Sequence, residues 1–242
     1  MCTVTFIPTK SGYYLAMNRD ERIERRQDFP PERAFLSGVE VVSPKDVEGG
    51  TWIAGNAYGC AFALINWNEP SSPAPKRNSR GKIVPALSAH SSPEDAFEGL
   101  SKENLDGVLP FRVIGVFSDD RKISEWTWDQ RQLRAIDHPW EMNHWCSSGL
   151  SDLKAKQLRS EISKKWQRES DTGTLPWMRS LHATHEHGNF GFCVHRGDVE
   201  TLSYSEINWD GRMLKFSHRA GSPCIQDTKV ITVELSATQA IG

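Results

Sequence analysis

A cysteine follows the initiator methionine directly, and this position decides what its thiol can do. A small second residue permits removal of Met1, which leaves Cys2 with a thiol and a free α-amine on neighbouring atoms. Such an amine ordinarily titrates at about 7.7 to 8.0, so it can accept the proton of its own side chain and activate the sulfur as a nucleophile. Nucleophile and base then sit in one residue. The alternative is an inert thiol.

The elements that follow must bring partners to that thiol. Thr3 to Ile7 and Gly12 to Met17 read as strands, joined by the turn formers Pro8, Thr9, Lys10, Ser11 and Gly12. A turn centred near residues 9 and 10 pairs positions that sum to about 19 or 20, so Cys2 is expected opposite Met17 or Asn18. Beside it comes the polar run Asn18-Arg19-Asp20-Glu21, in which Arg19 would favour a thiolate and Asp20 would hold or orient the amine. A solvated, charged strand end is the competing reading.

Acyl transfer also needs a donor for the developing oxyanion. A second hairpin, Thr51 to Gly55 and Cys60 to Asn66 around Asn56-Ala57-Tyr58-Gly59, brings Asn66 opposite Gly49-Gly50. Glycines permit close backbone approach, and an asparagine amide can donate to an alkoxide, so Asn66 is the candidate donor. A turn asparagine beside a glycine bulge is the alternative.

Met1-Cys2-Thr3, Asn18-Arg19-Asp20-Glu21, Gly49-Gly50-Thr51-Trp52 and Asn56-x-x-Gly59 leading to Leu64-Ile65-Asn66 together resemble the NRDE family, also called the transport and Golgi organisation family. The resemblance spans residues 1 to 68, extends to Ser79-Arg80-Gly81 and Ser147-Ser148-Gly149-Leu150, and is weak from about 90 to 140. The N-terminal pattern is also similar to choloylglycine hydrolases and penicillin V acylases. It implies an α+β fold of the N-terminal nucleophile hydrolase type, an αββα sandwich of two antiparallel sheets between helical layers. By that resemblance Cys2 would be the nucleophile, Arg19 and Asp20 its flanking pair, and Asn66 the first oxyanion position. Asn18, Glu21, Gly49, Gly50, Trp52 and Ser148 would surround the site. Ser148 stands where the acylases place an asparagine, and no arginine near Thr201 to Ser205 matches their distal one. The implied reaction is hydrolysis of a linear amide or acyl conjugate, which requires no cofactor and no metal. Family members are also associated with haem trafficking and lipid or acyl handling, so a non-catalytic carrier with haem or an acyl lipid as ligand is the implied alternative.

The remaining chain reads as an irregular Pro- and Arg-containing stretch between the hairpins, then a loop at Pro70 to Ser79, where three prolines exclude helix and central strand. Helices are expected at Arg80 to Ala89 and at Pro93 to Leu100, the second capped by Ser92. Strands follow at Phe111 to Phe117, Ile123 to Trp128 and Gln132 to Ile136. A helix from Ser151 to Glu169 puts Leu153, Leu158, Ile162 and Trp166 inward and a basic face outward. Phe190 to His195, Thr201 to Ile207, Arg212 to Phe216 and Lys229 to Leu235 read as strands again. This order is an α+β layering, expected to be a single domain over residues 1–242.

Charge excludes some partners: 29 basic against 31 acidic residues give −2, so no field of one sign recruits nucleic acid or anionic lipid. Apolar runs fall far short of the roughly 18 residues of a membrane span, and the start of the chain lacks a secretory pattern. A cytoplasmic location is expected, and the oligomeric state is not legible. Five cysteines without a C-x-x-C pair argue against a disulfide framework and a thiolate zinc site, and most are expected to be reduced and buried. His182-Ala183-Thr184-His185-Glu186-His187, with His195 and the thiols of Cys2 or Cys193, has the residue types of a metal or haem site, but the segment reads as a solvated polar loop. Nine tryptophans either line a pocket for a flat ligand or fill a core, and Arg80, Lys82, Arg159 and Lys164 read as solvated helix surface.

Overall fold

The computed structural model describes residues 2–25, 28–70, 78–168, 171–225 and 228–238. Its elements are the strands β1 (Cys2–Pro8), β2 (Tyr13–Arg22), β3 (Asp28–Leu36), β4 (Val39–Asp46), β5 (Ile53–Asn56), β6 (Cys60–Asn66), β7 (Phe111–Phe117), β8 (Lys122–Trp128), β9 (Leu133–His138), β10 (Asn143–Ser147), β11 (Val199–Trp209), β12 (Met213–Ala220) and β13 (Val230–Ser236). The helices are α1 (Ile83–Leu87), α2 (Pro93–Lys102), α3 (Asp152–Trp166) and α4 (Leu175–Ala183).

Two antiparallel sheets form, one in the order β10-β1-β2-β11-β12-β13 and one in the order β3-β4-β5-β6-β7-β8-β9. Side chains alternate across a strand, so each sheet offers two faces, and three apolar layers result. Val4, Phe6, Leu15, Met17, Ala63, Ile65 and Ile207 pack between the sheets. Phe62, Phe111, Val113 and Trp126 pack with Val84, Leu87 and Leu100 of α1 and α2 on one outer face. Ala16 and Tyr204 pack with Ile162, Trp177 and Leu181 of α3 and α4 on the other. The order of layers is therefore helix, sheet, sheet, helix. No helix among the described residues is long and apolar enough to cross a membrane.

Several elements differ from the sequence reading. The stretch between the hairpins is not irregular but forms β3 and β4; β3 is an edge strand with exposed Phe29 and Phe35, and its register shifts between Phe29 and Glu32. Pro30 and Pro31 fall in that bulge, one of the few places where a sheet tolerates proline. The helix expected from Arg80 to Ala89 shortens to α1 after a 3-10 turn at Arg80–Lys82, with Pro85 in its first turn, where no intrahelical N–H is lost. Helix α4 and strand β10 were not expected, because a short helix and a five-residue strand carry little periodicity. Phe190 to His195 is not a strand: Gly188–Phe190 is a 3-10 turn, and only His195 bridges, to Glu200. Of the expected loop at Pro70 to Ser79, positions 71–77 lie outside the described residues.

Helix α3 starts at its predicted cap, where Ser151 Oγ accepts from the Lys154 N–H at 3.2 Å. Its inward face is rotated from the expected one. Leu153 is 71% exposed, whereas Asp152, Ala155, Arg159, Ile162 and Ser163 are buried. Arg159, expected in solvent, is drawn inward by a set of oxygen acceptors at the end of β1.

Candidate active site

The first hairpin closes through Thr9–Gly12, with the Thr9 N–H donating to the Gly12 carbonyl at 2.9 Å. The turn is centred on Lys10 and Ser11, about one residue later than expected, and the register moves with it. Cys2 pairs with Arg19, not with Met17 or Asn18, which face Val4 and Thr3. On the other side of β1, Cys2 pairs with Ser147 of β10, and its main-chain N–H donates to Ser147 Oγ at 2.9 Å. Strand alternation turns Cys2 with Val4 and Phe6 into the space between the sheets. At the strand end this space opens into a cleft of about 90 Å³, lined by Cys2, Arg19, Asp20, Glu21, Trp52, Asn66 and Arg80 among others.

The cleft is polar and buried at its floor. Cys2 is 8% exposed, and burial pushes its thiol above the usual range; the Asp20 charge adds to this, while a hydrogen bond from the Asp20 N–H opposes it. Arg19 lays its guanidinium 4.4 Å from the centre of the Trp52 ring, a cation–π contact. Its Nη1 is buried and has no hydrogen-bond partner among the described residues, and the same holds for Trp52 Nε1. Glu21 accepts from the Arg22 N–H and pairs with Arg25 at 2.9 Å; although burial raises its carboxyl, these partners hold it below the usual range.

Asp20 is held from below. Thr201 Oγ1 donates to it at 2.6 Å, and Arg159 Nη2 lies at 3.5 Å. Burial raises its carboxyl, with Arg159 opposing. Arg159 also donates from Nε to the Gly191 carbonyl at 2.9 Å and from Nη1 to the carbonyls of Cys2 and Ser147 at 3.2 and 3.4 Å. One buried guanidinium thus ties β1, its neighbour β10 and Asp20 together.

Asn66 ends β6, opposite Phe111 of β7, and forms the facing wall of the cleft. The β5–β6 pairing ends at Ile53 with Ala63, followed by the Leu64 N–H donating to the Trp52 carbonyl at 2.8 Å, and does not reach the expected pairing of Asn66 with Gly49-Gly50. A Cβ on Gly50 would lie 2.8 Å from Gly81 Cα, and the Thr51 N–H donates to the Gly81 carbonyl at 3.1 Å. Gly49 adopts φ +79°, in the turn closed by Asp46. These two glycines shape the wall and do not face the thiol. Arg80, expected in solvent, is half-buried in that wall and donates to the Pro110 carbonyl at 3.1 Å.

Two expected neighbours go elsewhere. Asn18 faces the helices, where its Nδ2 donates to the carbonyls of His182 and Phe192 at 2.9 and 2.8 Å. Ser148 gives its N–H to Asp152 and accepts from the Leu150 N–H, at the start of α3. The hydroxyl that meets Cys2 belongs to Ser147. Arg159 and Ser147 escaped the sequence reading; the spacing Asp152, Ala155, Arg159, Ile162, Trp166 is one helix face, and would have placed Arg159 inward had a charged residue been allowed there.

A family model described as Transport and Golgi organisation 2 matches residues 1–204. No curated protein sequence matches the chain. Among solved structures, a cysteine-to-alanine mutant of the conjugated bile acid hydrolase from Clostridium perfringens is similar, with TM-score 0.57 at 11% identity, over 99% of this chain and 97% of that one. Penicillin V acylase from Agrobacterium tumefaciens gives TM-score 0.56 at 11% identity, over 96% of this chain and 86% of that one. An arginine-to-leucine variant of the Clostridium enzyme gives 0.54 at 13% identity, over 100% and 99%. The architecture is thus that of the N-terminal nucleophile hydrolases, two antiparallel sheets between helices.

Proposed function

The chain belongs to the transport and Golgi organisation 2 family, and from that membership and the hydrolase-like fold we propose that it is an N-terminal cysteine hydrolase of a linear amide or acyl conjugate. The observation that carries the reading is Cys2 facing a cleft with Arg19 opposite, Asn66 on the far wall and its own nitrogen hydrogen-bonded to Ser147. The names of the similar structures, a bile acid hydrolase and a penicillin V acylase, support a small-molecule substrate.

Removal of Met1 turns the Cys2 N–H into an α-amine. That amine takes the thiol proton, and the sulfur attacks the carbonyl carbon. The tetrahedral oxyanion accepts from Asn66 Nδ2, and the ammonium returns its proton to the leaving nitrogen as the C–N bond breaks. A water then attacks the thioester, with the amine again as base, releasing the acid and regenerating the thiol. Arg19 favours the thiolate, and Asp20, with Arg159 Nη2 at 3.5 Å, stabilises the ammonium. Intact mass of the protein from its native cell, with and without a thiol-acylating probe, tests this. Loss of Met1 and one adduct at Cys2, absent in Cys2→Ala, is expected; retained Met1 or an unreactive Cys2 overturns it.

A second reading, a non-catalytic carrier of haem or an acyl lipid, is favoured by one observation: Arg19 Nη1 is buried in the cleft with no partner among the described residues, a donor suited to a ligand carboxylate. Saturable haem binding lost in Arg19→Gln, together with an unacylated Cys2, would select it.

A further inference from the structure

Away from the cleft, three stretches, two of them close in sequence and the third 29 residues on, bring two histidines and two cysteines to one point. His185 follows α4, Cys193 and His195 precede β11, and Cys224 lies in the turn after β12. One ligand atom from each lies within 4.8 Å of all the others. Cys193 Sγ is 3.5 Å from His195 Nε2 and 3.5 Å from Cys224 Sγ, and His195 Nε2 is 3.1 Å from Cys224 Sγ. The rings of His185 and His195 stand 5.6 Å apart, centre to centre. With Zn–S near 2.3 Å and Zn–N near 2.0 Å, a tetrahedral ion demands ligand separations of about 3.3 to 3.8 Å. Cys193, His195 and Cys224 already stand close to that spacing, with His185 within 4.8 Å of each.

We infer that His185, Cys193, His195 and Cys224 form a zinc site that staples these stretches together. Two thiols and two imidazoles, with no carboxylate among them, suit zinc and not magnesium or calcium. Four protein ligands leave no position for substrate, so the role is structural. Binding displaces the two thiol protons to solvent, which gives a neutral centre.

The backbone around the ligands is tied down independently of any ion. The Cys193 N–H donates to the Thr184 carbonyl at 2.9 Å, and Gly191 permits the fold-back, since a Cβ there would lie 2.6 Å from the Glu186 carbonyl oxygen. On the other side, the Gly221 N–H donates to the Leu202 carbonyl and Ser222 Oγ to the Thr201 carbonyl, each at 2.7 Å. Both arms meet at Thr201, at the β11 register shift: Val194, beside Cys193, donates its N–H to Thr201 Oγ1 at 2.8 Å, Ser222 bonds the Thr201 carbonyl, and Thr201 is the residue that holds Asp20. The staple therefore stiffens the floor of the cleft. His182 takes no part, being buried between Asn18 and Thr5, and neither His187 nor Cys2 is among the four. The absence of a C-x-x-C pair hid the site, because two of its ligands arrive from separate loops.

The test is a cobalt titration of the full chain, reduced and stripped with a chelator, followed by zinc. About one equivalent of cobalt should give the intense visible bands of a tetrahedral site and thiolate-to-cobalt charge transfer, and zinc should displace them and raise the thermal transition. Cys224→Ser and His195→Ala change side chains that are not fully buried, and each should weaken zinc binding by more than about 100-fold. Cys60→Ser, in the opposite layer, should keep the bands. No tetrahedral bands from the unsubstituted folded chain, bands that survive in Cys224→Ser, or a Cys193–Cys224 disulfide in place of metal in freshly isolated protein would each overturn the assignment.

Discussion

Arg159 and Asp20 decide more at the residue scale than their low exposure suggests. Both are buried, and each is costly without the other, since an uncompensated charge in the interior is penalised far more than the pair is rewarded. Arg159→Met should lower stability by about 3–5 kcal/mol in urea unfolding, and the double variant with Asp20→Asn should recover part of that loss. A double-variant loss equal to the sum of the two single losses would show that the two are not coupled. Asn66→Ala should lower kcat by about 100- to 1000-fold with little change in KM once a substrate is in hand, as for loss of one oxyanion donor. A change confined to KM would remove Asn66 from the transition state. That Cys2, Arg19, Asp20 and Asn66 line one cleft was legible in the sequence because short hairpins carry them; the contact of Ser147 was not, since a serine is informative only when its neighbour across the sheet is known.

Elements hold these residues by contacts that single substitutions can probe. Gly50→Ala would drive a Cβ to 2.8 Å from the backbone of Gly81, which cannot rotate away, so the wall beside Asn66 must shift. A loss of about 1–3 kcal/mol is expected from thermal unfolding, with Gly49→Ala limited to the strain of its positive φ, because nothing lies within 4 Å of that Cβ. Equal effects at both positions would refute the close-approach account. Ser151→Ala should cost about 1 kcal/mol by removing the cap of α3, measurable in the same assay. Helix starts with a capping serine or a leading proline were legible at Ser151 and at Ser92-Pro93. The bulged edge strand β3 was not, since its prolines and exposed aromatics carry no alternation.

The whole molecule carries a pH dependence in the histidines between sheet and helices. His144 is hydrogen-bonded to Thr5 Oγ1 at 2.9 Å and Ser163 Oγ at 2.7 Å, and burial lowers its pKa from 6.5 to about 4. His182 is lowered for the same reason. The unfolded chain therefore takes up protons first as the solution is acidified. Stability should be complete above about pH 6.5 and fall steadily towards about pH 4, with a shallower fall in His144→Gln. A melting temperature flat across that window would contradict neutral burial.

What the sequence by itself determined is local: a thiol directly after Met1, a polar run at the end of a hairpin, helix caps, and the α+β order of elements. These follow from covalent adjacency and from turns of a few residues. Tertiary structure alone decided that Arg159 reaches the carbonyl of Cys2 across 157 positions, that Ser147 meets its nitrogen across 145, and that Cys224 joins His195 across 29. Such pairs are set by how sheets and helices stack, and the pattern along the chain that builds the stack is blind to which polar groups it will press together.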